Sequence, residues 1–75
     1  MRIVSGDMIV VRFLNGSHWD FLPHAYLAGF ISASKVQYEE VLGNVVLFLT
    51  ITATGVNKIE KVVEDYEGTI VYPFA

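Results

Sequence analysis

The chain has 75 residues, 53% of them hydrophobic and 17% charged, with no cysteine and a formal net charge of -3. A mean hydropathy of +0.48, carried by many aromatic and β-branched residues, excludes an intrinsically disordered chain. The missing thiols exclude a disulfide framework and a thiolate zinc site, so one small domain is expected whose stability comes from a small core or a partner.

The longest uncharged run, Val41 to Asn57, contains Gly43, Asn44, Thr50, Thr52, Thr54 and Gly55. It is shorter than the roughly 18 to 20 apolar residues that span a bilayer as a helix. Arg2, Asp7 and Arg12 interrupt the start of the chain where a secretory signal needs an unbroken apolar region. An isoelectric point near 5.1 removes the broad basic field on which nonspecific nucleic-acid binding depends. A soluble, cytoplasmic protein without a membrane role is the expectation.

In chain order, Asp7 to Leu14 (DMIVVRFL) is β-branched and apolar and runs into the turn pair Asn15-Gly16, which predicts a first strand. Ser17 to Leu22 is either a returning strand that sets Trp19 opposite Arg12 or a loop leading into a helix. Pro23 suits the first helical position, and Tyr26, Leu27, Phe30, Ile31 and Ser34 follow at helical spacing, so a short helix over Pro23 to Ala33 is predicted. Folding Lys35 to Leu42 back on Val45 to Ala53 about Gly43-Asn44 then sorts Val36, Tyr38, Leu42, Val45, Leu47, Leu49 and Ile51 onto one face. The other face receives Lys35, Gln37, Glu39, Thr50 and Thr52 with Val41, Val46 and Phe48, and only Glu40 falls on the wrong side. A continuous helix from Pro23 to Leu42 competes with this hairpin, which is preferred because its two-residue period covers both arms.

Asn57 followed by Glu60 has the spacing of a capping box, and Val56, Ile59, Val62, Val63 and Tyr66 form an apolar stripe, predicting a second helix closed by Gly68. Its other face is charged. Thr69 to Phe74 reads as a last strand, confined to a sheet edge by Pro73. The order βαββαβ is the ferredoxin-like α+β plan, a four-stranded antiparallel sheet with two helices on one face, strands one and three central and strands two and four at the edges.

The densest set of candidate ligands is His18, Asp20 and His24 in SHWDFLPH, donors suited to a divalent metal with an open position. A His-x-Asp-x3-His spacing matches no compact motif with a known mechanism, so the competing reading makes them ordinary loop and first-turn polar residues. No cofactor follows from it. Thr54-Gly55 before a helix offers at most a weak anion site, and Glu39 and Glu40 point to opposite faces of a strand and cannot share a substrate. With no nucleophile or oxyanion site in view, a non-enzymatic role is the working expectation.

Two apolar surfaces remain once the core is assigned. The sheet face away from the helices should carry Val10, Arg12, Val46 and Phe48, a thin platform for single-stranded nucleic acid and a better one for a second subunit. On the first helix Ala25, Gly29 and Ala33 are four apart and align on one side, which allows another backbone to approach closely there. Together they predict an interaction module, a homo-oligomer or a docking partner for another protein. VQY at Val36 to Tyr38 and IVYPF at Ile70 to Phe74 resemble segments of the small ferredoxin-like CRISPR-associated nuclease of the spacer-acquisition complex. That resemblance implies a dimer handling nucleic acid. The family carries an acidic residue after its first strand, where this chain reads Arg12-Phe13-Leu14-Asn15, and the assignment is not adopted.

Overall fold

A computed structural model describes residues 3–14, 16–39 and 43–73. Its elements run β1 (Met8–Phe13), α1 (His18–Leu27), β2 (Ile31–Glu39), β3 (Asn44–Ile51), α2 (Ile59–Asp65) and β4 (Thr69–Tyr72). The strands form one antiparallel sheet in the order β2-β3-β1-β4. This is the ferredoxin-like α+β arrangement, with the two most apolar strands in the middle.

Alternation decides which side of the sheet the helices cover. Ile9, Val11 and Phe13 of β1 and Val45, Leu47, Leu49 and Ile51 of β3 are buried, while Val10, Arg12, Val46, Phe48 and Thr50 between them are only half-buried. Each β-strand sends successive side chains to opposite faces, so the buried set defines the helix side. The two arms pair with the faces sorted as predicted but not about Gly43-Asn44: Val36 pairs with Leu47, Tyr38 with Val45, Lys35 with Phe48 and Gln37 with Val46, while Asn44 is itself a ladder residue of β3 opposite Glu39, a register four residues from the predicted one. This pairing also excludes a helix continuing through Tyr38. Glu40, Val41 and Leu42, which belonged to the predicted second strand, lie outside the described residues, as do Arg2, Asn15 and Phe74 of the other readings.

The first helix differs from expectation in its position. It starts at His18, not Pro23, and Ser17 to Leu22 is neither a strand nor a loop. His18, Phe21 and Ala25 form its buried face, whereas Tyr26 and Leu27 are exposed, Leu27 by 89%. Pro23 sits in the second turn and removes the bond its N–H would have made to the Trp19 carbonyl. Gly29 ends the helix at φ 75°. The Phe30 N–H donates to the Ala25 carbonyl at 2.9 Å and the Gly29 N–H to the Tyr26 carbonyl at 3.1 Å, the paired bonds of a Schellman motif. The chain therefore turns at Gly29, and Ile31 already belongs to a strand.

The second helix carries the predicted stripe, with Ile59, Val62 and Val63 buried and Val56 and Tyr66 packed beside them. Both predicted ends need correction. Lys58 stands at the N-cap position with no side-chain hydrogen bond, and Asn57 lies in the preceding turn. The Gly55 carbonyl accepts from the N–H groups of Lys58 and Ile59, both at 2.9 Å, so backbone does the work expected of a capping side chain. At the other end the left-handed residue is Glu67, at φ 62°, not Gly68. The Gly68 N–H donates to the Val63 carbonyl at 2.8 Å and the Glu67 N–H to the Glu64 carbonyl at 2.9 Å, another Schellman pair shifted one residue from the glycine.

The two crossover turns are locked together. The Thr52 N–H donates to the Phe30 carbonyl at 3.0 Å, its hydroxyl donates to the Gly29 carbonyl, and the same hydroxyl accepts from the Gly55 N–H at 3.1 Å. Gly55 passes so close that a Cβ there would overlap the Phe30 carbonyl oxygen. Thr54-Gly55 is thus a packing turn.

Candidate interaction surface

The sheet face opposite the helices is built from three cross-strand rows. Pairing places Ala33, Thr50 and Met8 in one row, Lys35, Phe48, Val10 and Tyr72 in the next, and Gln37, Val46, Arg12 and Thr69 in the third. Val10, Arg12, Val46 and Phe48 therefore share this face as the alternation required. Met8 and Tyr72 extend its apolar surface, 50% and 56% exposed, and neither was picked out from the sequence. The signal for Met8 was there, since it keeps the parity of Val10; Tyr72 joins the face through an irregularity in the β1–β4 register between Val10 and Val11. A shallow depression over Met8, Ala33, Lys35, Gln37, Phe48 and Thr50 marks its β2 side.

Charge is divided between the two sides of the sheet. Arg12 and Lys35 lie on the open face, and Glu39 keeps the parity of Lys35 along β2. Glu60, Glu64, Asp65 and Glu67 crowd around α2 on the opposite side, where Lys61 meets Asp65 at 3.6 Å.

The small-residue stripe does not exist as a surface. Ala25 is fully buried in α1, Gly29 forms the left-handed turn after it, and Ala33 lies on β2. The four-residue spacing aligns them only on a helix that runs on past Gly29. Of the three, Ala33 alone joins the open face.

The His18, Asp20 and His24 set is likewise dispersed. On the helix that begins at His18, position 18 points into the core, whereas Asp20 and His24 lie on the solvent side. The His24 Nδ1 is 2.9 Å from the Tyr66 hydroxyl, tying α1 to α2. No group of three potential metal ligands converges among the described residues. His18 has a different character. It is 2% exposed, neither ring nitrogen has a hydrogen-bond partner, and its ring lies 4.7 Å from that of Trp19 and 6.3 Å edge-on from that of Tyr38. Removal from water pushes its pKa below the usual imidazole value. Spacing with Phe21 and Ala25 would have marked His18 as a core position had its polarity not suggested a ligand.

Among the described residues no helix is long and apolar enough to cross a membrane. No family model, curated protein or solved structure matches this chain, so the assignment of a class stops at the ferredoxin-like fold.

Proposed function

We propose that the protein is a small non-enzymatic interaction module that packs the open face of its sheet against a second copy of itself. One observation carries this reading: the middle of the face is apolar across the sheet, from Phe48 through Val10 to Tyr72, with Met8 and Val46 on the flanking rows. Strand spacing and rise give this face about 400 Å². Two such faces bury about 800 Å², under the roughly 1,200 Å² at which standard interfaces begin, so the association is weak and concentration-dependent. Phe48→Asp places a carboxylate at the centre and should shift the association by tenfold or more. Sedimentation velocity over a concentration series tests it. Wild type and Phe48→Asp sedimenting as identical monomers at every concentration would overturn it.

A second reading rests on the same row. Phe48 and Tyr72 offer two stacking surfaces, and Lys35 and Arg12 supply positive charge beside them, which suits single-stranded nucleic acid. Fluorescence anisotropy with a labelled oligonucleotide at low salt, for wild type and for Phe48→Ala with Tyr72→Ala, distinguishes the two. Loss of binding in the double variant supports this reading, and no binding by wild type removes it.

A further inference from the structure

The two edges of the sheet are not alike. β4 has four residues and is followed at once by Pro73, a short edge of the kind that resists pairing with another chain. β2 has nine residues, contains no proline, and its one register irregularity falls at its beginning, between Ile31 and Ala33. Among the described residues its only sheet partner is β3, and 32–38 make no backbone hydrogen bond outside that ladder. The helix layer leaves this end of the strand open, with Val36 and Tyr38 on the helix side 38% and 58% exposed. An open edge of this length is a template for a further strand.

We propose that β2 pairs antiparallel with β2 of a second copy, about a twofold axis through Gln37, so that the two sheets become one. The sequence of the edge selects both the partner and the register. A twofold axis normal to the sheet keeps each face on its own side, so the pairing must centre on a residue and not between two. Centred on Lys35, it sets lysine against lysine; centred on Val36, it sets Lys35 against glutamine. Centred on Gln37, the segment Lys-Val-Gln-Tyr-Glu reads against itself as Lys35 with the partner's Glu39, Val36 with the partner's Tyr38, and Gln37 with the partner's Gln37. Opposite charges and aromatic with β-branched residues directly across a ladder are stabilising pairs, and like charges there are destabilising. The first two pairs occur twice by symmetry, and the Gln37 pair lies once on the axis.

This edge contact is separate from the packing of the open face, and it bears on it. Joining two sheets side by side doubles the continuous open face to about 800 Å², so that stacking two joined sheets reaches the standard interface size of about 1,600 Å².

The test uses charges on the axis. Gln37→Lys and Gln37→Glu each place like charges opposite one another and should each weaken the dimer by about tenfold at low salt, while an equimolar mixture of the two regains wild-type affinity as a mixed dimer. Lys35→Glu and Glu39→Lys should weaken it singly and restore it together. Amide hydrogen exchange gives a second readout, because a free edge protects alternate β2 amides and a paired edge protects both sets. Phe48→Asp separates the two contacts: it should leave the β2 protection in place. Failure of both the mixture and the charge swap to restore association, or β2 amides of which only the β3-facing set is protected at every concentration, overturns the edge pairing. Loss of association in Phe48→Asp with wild-type association in Gln37→Lys would leave the face reading standing alone.

Discussion

Gly68 and Glu67 make opposite demands on the end of α2, and exchanging glycine between them should move stability in opposite directions. A Cβ on Gly68 would lie 2.5 Å from Cε1, 2.8 Å from Cζ and 3.0 Å from Cδ1 of Phe13. Phe13 cannot swing aside freely, since it is fully buried and its ring lies 4.9 Å from that of Phe21. Overpacking of this kind costs about 1 to 3 kcal/mol, and Gly68→Ala is expected near the middle of that range. At about 4 to 8 °C per kcal/mol for a domain of this size, the melting temperature falls by about 10 °C. Glu67 instead holds a left-handed backbone at φ 62°, which costs a residue with a Cβ about 1 to 2 kcal/mol. Glu67→Gly relieves that strain against a backbone-entropy penalty of about 0.5 to 1 kcal/mol, a net gain of about 0.5 to 1 kcal/mol. Thermal and urea unfolding followed by circular dichroism measure both. If Gly68 were itself the left-handed cap, Glu67→Gly would destabilise the protein. That result, or a Gly68→Ala variant as stable as wild type, would refute the packing argument.

Three further expectations follow from the same packing. Gly55→Ala drives a methyl group into the Phe30 carbonyl, a backbone atom that cannot rotate away, and should cost at least as much as Gly68→Ala by urea titration. Thr52→Val keeps the shape and removes the hydroxyl that bridges Gly29 and Gly55; a loss of about 1 to 3 kcal/mol is expected, with faster amide exchange at Gly55. His18→Phe removes two unpartnered ring nitrogens from the core and should raise stability by about 1 kcal/mol or more at neutral pH. Because the folded-state pKa of His18 lies below its unfolded value, the unfolded chain takes up a proton first as pH falls, and wild-type stability drops through and below about pH 6.5. Urea unfolding at successive pH values should show that drop flattened in His18→Phe, and equal slopes in the two proteins would rule out His18 as its source.

Particular residues show where legibility stopped. Period-two sorting found the helix side and the open face because a strand gives a residue only two choices, and Val10, Arg12, Val46 and Phe48 fell where parity put them. The first helix was displaced because two local rules competed: Pro23 fits a first helical position, but the buried spacing His18, Phe21, Ala25 outweighs it. Gly29 then acts as a C-terminal turn, which removes the alignment of Ala25 and Ala33 and with it the stripe. The cap of α2 was misplaced by one residue for a related reason. A glycine near a helix end signals either freedom of φ or lack of a Cβ, and at Gly68 it is the ring of Phe13 that requires glycine.

The edge of β2 poses a different kind of problem, since alternation reports faces and is silent about edges. Lys35 and Glu39 share a parity, and alternation alone places them with Gln37 on the face away from the helices. Their spacing acquires meaning only once β2 ends the sheet, with β3 on one side and, among the described residues, no strand on the other. A strand that reads as its own antiparallel complement is then a statement about association, not about folding. Negative charge around α2 disfavours contact between two helix layers. Edge pairing keeps both acidic layers on the same side and away from the open face.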